Sequence, residues 1–231
     1  GYLLGPSSKI IRHWQPRDKD VSDVGTYYSV PVFTLQWHIT HACDMHCKHC
    51  YDRSKRSPLT MEQGFYILEN FHAFCHAHHV RGHVCFSGGN PFLSPHFEIL
   101  YQKAAEWGYG TSILGNPVPR DQLEKIIQIK MPNYYQISLE GLPEHNDTIR
   151  GKGVYCRAIE FLGVLRDLNI TSGVMLTLTN NNMNQVLPLS ERLRGHADQF
   201  TFNRLSPVGE GADLLLPDTK AYQIFLAEYL Q

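Results

Sequence analysis

The sequence predicts an α/β chain, a partial (β/α)6 TIM-like barrel left open along one side. From about Val32, short strand-like runs alternate with helix-period segments, and about six such units follow one another. That order builds a parallel sheet with its crossover helices outside. The strand-like runs are also two-faced. In the first, Thr34, Gln36, His38 and Thr40 share one side while Phe33, Leu35, Trp37 and Ile39 share the other. In the fourth, Gln136, Ser138 and Glu140 oppose Tyr135, Ile137 and Leu139, and in the sixth, Thr201 and Asn203 oppose Phe200 and Phe202. A doubly wound sheet, covered on both faces, should have near-continuous apolar strands. One polar face implies instead a curved sheet whose concave side lines a wet cavity; the competing explanation is ordinary alternation over a solvated face.

Residues 1–30 have no sustained period, with Gly5-Pro6-Ser7-Ser8 followed by the charged Arg17-Asp18-Lys19-Asp20, and are expected to be an N-terminal arm or leader. Residues 31–231 form the core domain. Strands are predicted at 32–39, 84–87, 111–114, 134–140, 170–179 and 200–204. The first helix opens on a capping box, Thr60-Met61-Glu62-Gln63, and carries Met61, Phe65, Leu68, Phe71 or His72, and Cys75 on one face. Further helices are predicted near 95–107, 120–130, 154–168, 183–194 and 218–230. In the last, Tyr222, Phe225, Leu226 and Tyr229 make an apolar stripe running up to Gln231. Such a stripe packs on the barrel or marks a chain cut before a further C-terminal domain; truncation is the expectation.

With 231 residues, 42% of them hydrophobic, the chain can build one well-packed domain but not two full-sized ones. A formal net charge of −1 argues against a nucleic-acid or membrane-surface binder, each of which needs a basic excess. No run approaches the ~18 apolar residues of a membrane span and no signal-peptide pattern opens the chain, so a cytoplasmic protein without a membrane partner is expected. Six cysteines are too sparse for a disulfide scaffold. Their clustering points to metal binding or catalysis.

The cluster is His41-Ala42-Cys43-Asp44-Met45-His46-Cys47-Lys48-His49-Cys50-Tyr51, directly after the first predicted strand. Thiolates are soft ligands that select zinc, copper(I) or iron–sulfur clusters. A structural zinc site wants four protein ligands, commonly as two separated pairs, and here a single triplet stands without a second pair. Cys75, Cys85 and Cys156 are isolated and are expected in the core. A cubane cluster usually takes four thiolates, so three leave one iron open to another ligand. The alternative is a zinc site completed by His41, His46 or His49.

The spacing C-x3-C-x2-C resembles that of the radical S-adenosylmethionine (SAM) superfamily. The resemblance implies that Cys43, Cys47 and Cys50 hold a 4Fe-4S cluster whose open iron chelates SAM. It further implies that the reduced cluster cleaves SAM to methionine and a 5′-deoxyadenosyl radical, which takes a hydrogen atom from the substrate. His49 stands where the family usually has an aromatic residue. Ser87-Gly88-Gly89-Asn90-Pro91, ending the second predicted strand, resembles the family's Gly-Gly-Glu-Pro motif, which holds the SAM ammonium. Two glycines let backbone approach a ligand closely and Pro91 stiffens the exit. Asn90 replaces the family's carboxylate, which implies weaker SAM binding or a compensating carboxylate nearby, Glu140 being one candidate. An amide oxygen lacks the charge assistance that roughly doubles a hydrogen bond's strength.

The segment from Ile137 to Gly151 resembles the Ser-x-Asp-Gly…His-Asp-x-x-Arg-Gly stretch of radical SAM peptide maturases that carry a SPASM domain. Ser138 and Arg150 should then contact the ribose or carboxylate of SAM; the alternative is a helix-entry loop in which Arg150 pairs with Asp147. The run from Arg204 to Gly211 resembles the end of strand six in the same enzymes, where backbone meets adenine. Gly115-Asn116-Pro117 reads as a turn.

The resemblance covers roughly residues 32–231. It implies a precursor peptide as substrate, a reductant such as flavodoxin or ferredoxin, and no nucleic acid. A Cys-rich SPASM or twitch domain in full-length relatives would follow the last helix. The Ser-Gly-Gly-Asn-Pro variant resembles that of the thio(seleno)oxazole-modifying (selenobiotic) peptide maturases. Polar lumen side chains, Gln36, His38, Gln136, Thr177 and Asn203, are candidates for substrate contact. Rival functions are a radical SAM enzyme acting on a small molecule or nucleic acid, and a zinc-bound interaction module.

Overall fold

The computed structural model describes residues 31–52 and 58–229; the expected arm at 1–30 lies outside them. Six strands, β1 (Val32–Thr40), β2 (Arg81–Gly88), β3 (Gly110–Leu114), β4 (Tyr134–Ser138), β5 (Ser172–Leu178) and β6 (Gln199–Arg204), form one sheet in chain order. All five pairings are parallel, with β1 and β6 as the two edges. Helices α1 (Met61–Ala77), α2 (Phe97–Glu106), α3 (Arg120–Ile129), α4 (Pro143–Arg150), α5 (Val154–Asp167), α6 (Val186–Leu193) and α7 (Thr219–Tyr229) fill the crossovers and the end. This is the open partial barrel that the alternating units predicted.

The sheet's two faces divide as their side chains dictate. Trp37, Ile39, Val84, Phe86, Ile113, Tyr135, Ile137, Val174 and Leu176 on one face pack with Leu68, Leu100, Leu123, Phe161, Leu162 and Leu189 of the helices in one core cluster. Burial of each such side chain is worth about 1.5–3 kcal/mol. The other face carries Gln36, His38, Gln136, Thr177 and Asn203, all lining a single cavity of about 580 Å3. Strand β2 departs from this division. His83, Cys85 and Ser87 on its inner face are buried as well, because neighbouring strands close over it, and its alternation was hidden from the sequence for that reason.

The capping box of α1 forms as predicted, with Gln63 N–H donating to Thr60 Oγ1 at 3.2 Å and Thr60 N–H to Gln63 Oε1 at 3.0 Å. The apolar stripe of α7 packs on the barrel: Phe225 is buried, and Phe202 of β6 meets Phe225 and Tyr229 with ring centroids 5.4 and 5.1 Å apart. Helix α4 was not predicted. It starts on Pro143, suited to a first turn, but Glu144, His145, Asn146 and Asp147 leave it no apolar stripe to read. Cys75 and Cys85 are buried as expected, whereas Cys156 is exposed. Val154, Tyr155 and Ala158 take the inward side of α5 and turn residue 156 outward. Among the described residues no helix is long and apolar enough to cross a membrane.

Candidate functional site

Parallel strands present their loops at the same end, so whatever follows β1, β2, β3 and β4 is gathered at one mouth. The cysteine loop leaves β1 through a bulge between His38 and Thr40, a local kink that re-aims the chain. It is then fastened on several sides. Gly89 N–H donates to Thr40 O at 2.9 Å and Asn90 N–H to Ala42 O at 2.8 Å. Lys48 N–H donates to Ile149 O at 3.0 Å and Glu210 N–H to Cys50 O at 2.9 Å. The loop thus rests on the turn after β2, on α4, and on the segment after β6.

The glycines are required by this fit. A Cβ on Gly89 would stand 2.1 Å from Ala42 O, and one on Gly88, whose φ is +134°, would stand 2.2 Å from Thr40 O. Cys43, Cys47 and Cys50 all line the cavity, together with Gly88, Gly89, Ser138 and Arg150. The structure therefore brings together seven of the eight residues singled out from sequence. The eighth, Asn90, is 2% exposed and sits behind that wall. Its Oδ1 accepts from Phe92 N–H at 3.3 Å and its Nδ2 donates to Asp44 Oδ1 at 3.1 Å.

Glu140, the sequence's candidate carboxylate to compensate for Asn90, is committed elsewhere. Glu140 lies just past β4, 1% exposed, and accepts from Arg150 Nε at 2.9 Å and from Thr177 N–H at 2.8 Å. His49 Nε2 lies 3.4 Å from the same Oε1. Glu140 is thus fully engaged in holding Arg150 and tying the cysteine loop to β5. Asp147 is not the partner of Arg150. Its oxygens accept from Gly153 N–H at 2.6 Å and Tyr155 N–H at 2.9 Å, at the start of α5.

Electrostatics follow from burial. Burial pushes the Cys47 thiol up; Arg150 opposes this, and the neighbouring Cys43 and Cys50 thiols add to it. Burial lowers His49, against the pull of Glu140, which favours the neutral imidazole 3.4 Å from that carboxylate. For Arg150, burial disfavours the charge, but Glu140 and the thiols outweigh it and keep the guanidinium protonated. A fixed cation therefore stands in the same cavity as three thiols that carry negative charge when they bind metal. That balance, and the soft donor set, fit an iron–sulfur cluster. Ser87 Oγ adds a second sign of a ligand site: it is buried at the cavity wall with no hydrogen-bond partner among the described residues. The histidines weighed as fourth zinc ligands are otherwise occupied in two cases, His41 with Asp52 at 3.3 Å and His49 with Glu140.

Asn116 was missed. Read as part of a turn, it lines the cavity, with Nδ2 3.4 Å from Cys43 Sγ and 2.6 Å from Asp44 Oδ1. The Tyr135 hydroxyl, reaching out of the core, donates to Asn116 O at 2.7 Å and sets the loop. A usable signal existed: Asn116 follows β3 just as the cysteines follow β1 and the glycines end β2.

Known proteins with similar features support the same assignment. A "Mycofactocin maturase MftC" from Mycolicibacterium smegmatis is 30% identical over 190 residues, 78% of this chain and 46% of that protein. An "Fe-coproporphyrin III synthase" from Methanosarcina barkeri is 25% identical over 190 residues, 79% of this chain and 46% of that protein. Among solved structures, Streptococcus suis SuiB bound to its precursor peptide SuiA superposes with a TM-score of 0.68 at 19% identity, covering 87% of this chain and 46% of that one. The chain spans about half the length of the curated relatives it matches. The profile of the radical SAM superfamily matches residues 37–193, from β1 to the end of α6. With its three cysteines and double glycine set in that region of an open parallel barrel, the chain belongs to the radical SAM superfamily.

Proposed function

We propose that this chain is the core of a radical SAM enzyme that modifies a ribosomally made peptide. The observation that carries the reading is the shared cavity, where three thiols, a double-glycine wall and a buried guanidinium face a polar lumen. The family works with a 4Fe-4S cluster and SAM. In our reading Cys43, Cys47 and Cys50 hold the cluster, and Gly88, Gly89, Ser138 and Arg150 orient SAM. When bound, the pair supplies a 5′-deoxyadenosyl radical for hydrogen abstraction. The chain's own share is placement and protection. Arg150 is fixed by Glu140 through Nε and reaches Met45 Sδ through Nη1 at 3.7 Å, which leaves Nη2 toward the anionic groups beside it; a guanidinium suits such groups as a planar, permanently charged donor. Gly88 and Gly89 let backbone, rather than side chain, form one wall.

A peptide substrate is supported by the maturases among the relatives and by the lumen, which opens along one side and is lined by Gln36, His38, Gln136, Thr177 and Asn203. A small-molecule substrate is the second reading, favoured by the Fe-coproporphyrin III synthase among the relatives. Flavodoxin or ferredoxin would serve as reductant. A cytoplasmic setting suits six free cysteines.

The test is anaerobic reconstitution of the protein followed by reduction with SAM. The expected result is about four iron and four sulfide per chain, and 5′-deoxyadenosine detected by mass spectrometry, both lost in Cys47→Ala. Stoichiometric zinc without iron would end the reading. Hydrogen loss from a co-expressed precursor peptide, or from a tetrapyrrole, separates the two substrate classes.

A further inference from the structure

The carboxylate next to the double glycine comes from the cysteine loop. Asp44, the residue after Cys43, places Oδ1 3.1 Å from Asn90 Nδ2 and 2.6 Å from Asn116 Nδ2. Two amides from two different loops thus grip one oxygen. The orientation of Asn90 is unambiguous, because Phe92 N–H needs an oxygen to donate to and Asp44 needs a donor. Asn90 is 2% exposed, turns its Oδ1 to Phe92 N–H and is not among the residues lining the cavity. Asp44 offers an acceptor: among the described residues its Oδ2 has no partner, and its side chain is exposed while both clamping asparagines are buried. The cavity wall next to the cysteine loop has the Ser87 hydroxyl, without a hydrogen-bond partner among the described residues, and the side-chain-free Gly88 and Gly89. Together these make an exposed negative oxygen held by two buried amides, on the residue between Cys43 and Met45, both of which line the cavity.

We propose that Asp44, oriented by Asn90 and Asn116, is the acceptor for the ammonium group of SAM in this protein. The inference rests on the proposed reading of the cavity as a SAM site. It assigns Asn90 a positioning part and moves the negative charge from the turn after β2 to the loop after β1. A carboxylate at position 90 as well would face Asp44 as a like charge, so the two positions can carry one carboxylate between them but not two without penalty.

The test measures binding to the cluster-reconstituted protein by equilibrium dialysis, using SAM and its deaminated analogue as probes. Iron content and visible absorption report whether the cluster is intact. The parent should prefer SAM over the deaminated analogue by about tenfold, the scale of one charge-assisted hydrogen bond. Asp44→Asn should lose that preference by weakening SAM alone, and Asp44→Asn with Asn90→Glu should recover it. A purely structural role for Asp44 predicts equal weakening of both probes, and that result overturns the proposal. So does an Asp44→Asn protein that keeps the parent's preference, or a double variant that binds SAM no better than Asp44→Asn. A parent that holds its cluster but binds no SAM sinks the SAM-site reading itself, which is a different failure.

Discussion

At the scale of single residues the site is governed by which polar groups are already taken. Glu140 illustrates this. Its side chain is 2% exposed and meets the Arg150 side chain, 9% exposed, at 2.9 Å. Removing one partner of a buried pair leaves the other charge without compensation, at a cost of about 3 kcal/mol or more. Glu140→Gln keeps the shape and loses the charge, so urea denaturation should show stability lower by about 3 kcal/mol. A loss below about 1 kcal/mol would mean that Arg150 finds another anion, the neighbouring thiols being the nearest. Residue type and spacing made Cys43, Cys47, Cys50, Gly88 and Gly89 legible, since few other chemistries use such a set. The partner of Glu140 was not legible, because Asp147 and Glu140 both lie within ten residues of Arg150 and only the fold says which of them faces it.

At the scale of elements, α4 and α5 show how a polar segment earns its structure from its neighbours. Helix α5 begins after Gly153, which has no side chain to cap the exposed N–H groups. Asp147 reaches across from α4 and accepts from Gly153 and Tyr155 N–H. Desolvation raises its carboxyl, but those two backbone donors, with the Asn146 side chain and the Arg157 charge, together outweigh it and lower the pKa from its ordinary value. Asp147→Ala should cost on the order of 1 kcal/mol, the usual worth of an N-cap, read as a lower thermal midpoint. Because the folded carboxyl is the more acidic one, its contribution is present above the unfolded pKa and fades as pH falls through the folded one. A midpoint unchanged by Asp147→Ala would show that water serves the N–H groups as well. The cap of α1, by contrast, is local, and Thr60 with Gln63 could be read directly from sequence.

For the whole molecule, the closed inner face of β2 and β3 sets a pH response. His83 hydrogen-bonds Ser112 at 2.8 Å in the barrel interior, and burial, helped by Lys130, pushes its pKa down to about 4. The unfolded chain takes up a proton near pH 6.5 that the folded chain refuses. Stability from this group is therefore complete above about pH 6.5 and is lost on acidification, on the order of 3 kcal/mol by pH 4. His49 and His145, both lowered by burial, act in the same direction. Denaturation at pH 7, 6 and 5 should show falling stability, and His83→Gln should flatten the fall by up to one proton. An unchanged slope in His83→Gln would place the proton uptake elsewhere.

The amino-acid sequence alone determined the alternation of strands and helices, the polar side of the sheet, and the soft-ligand loop with its double-glycine neighbour. These are local patterns, in which period, residue type and spacing carry the information. Tertiary structure alone decided that Asn90 is turned away from the cavity, that Glu140 belongs to Arg150 and His49, and that Asp44 stands between Asn90 and Asn116. Each of those is a choice among several donors and acceptors of equal chemistry. It is settled by which loops the parallel strands deliver to the same mouth, and by which polar atoms burial forbids to stay unpaired.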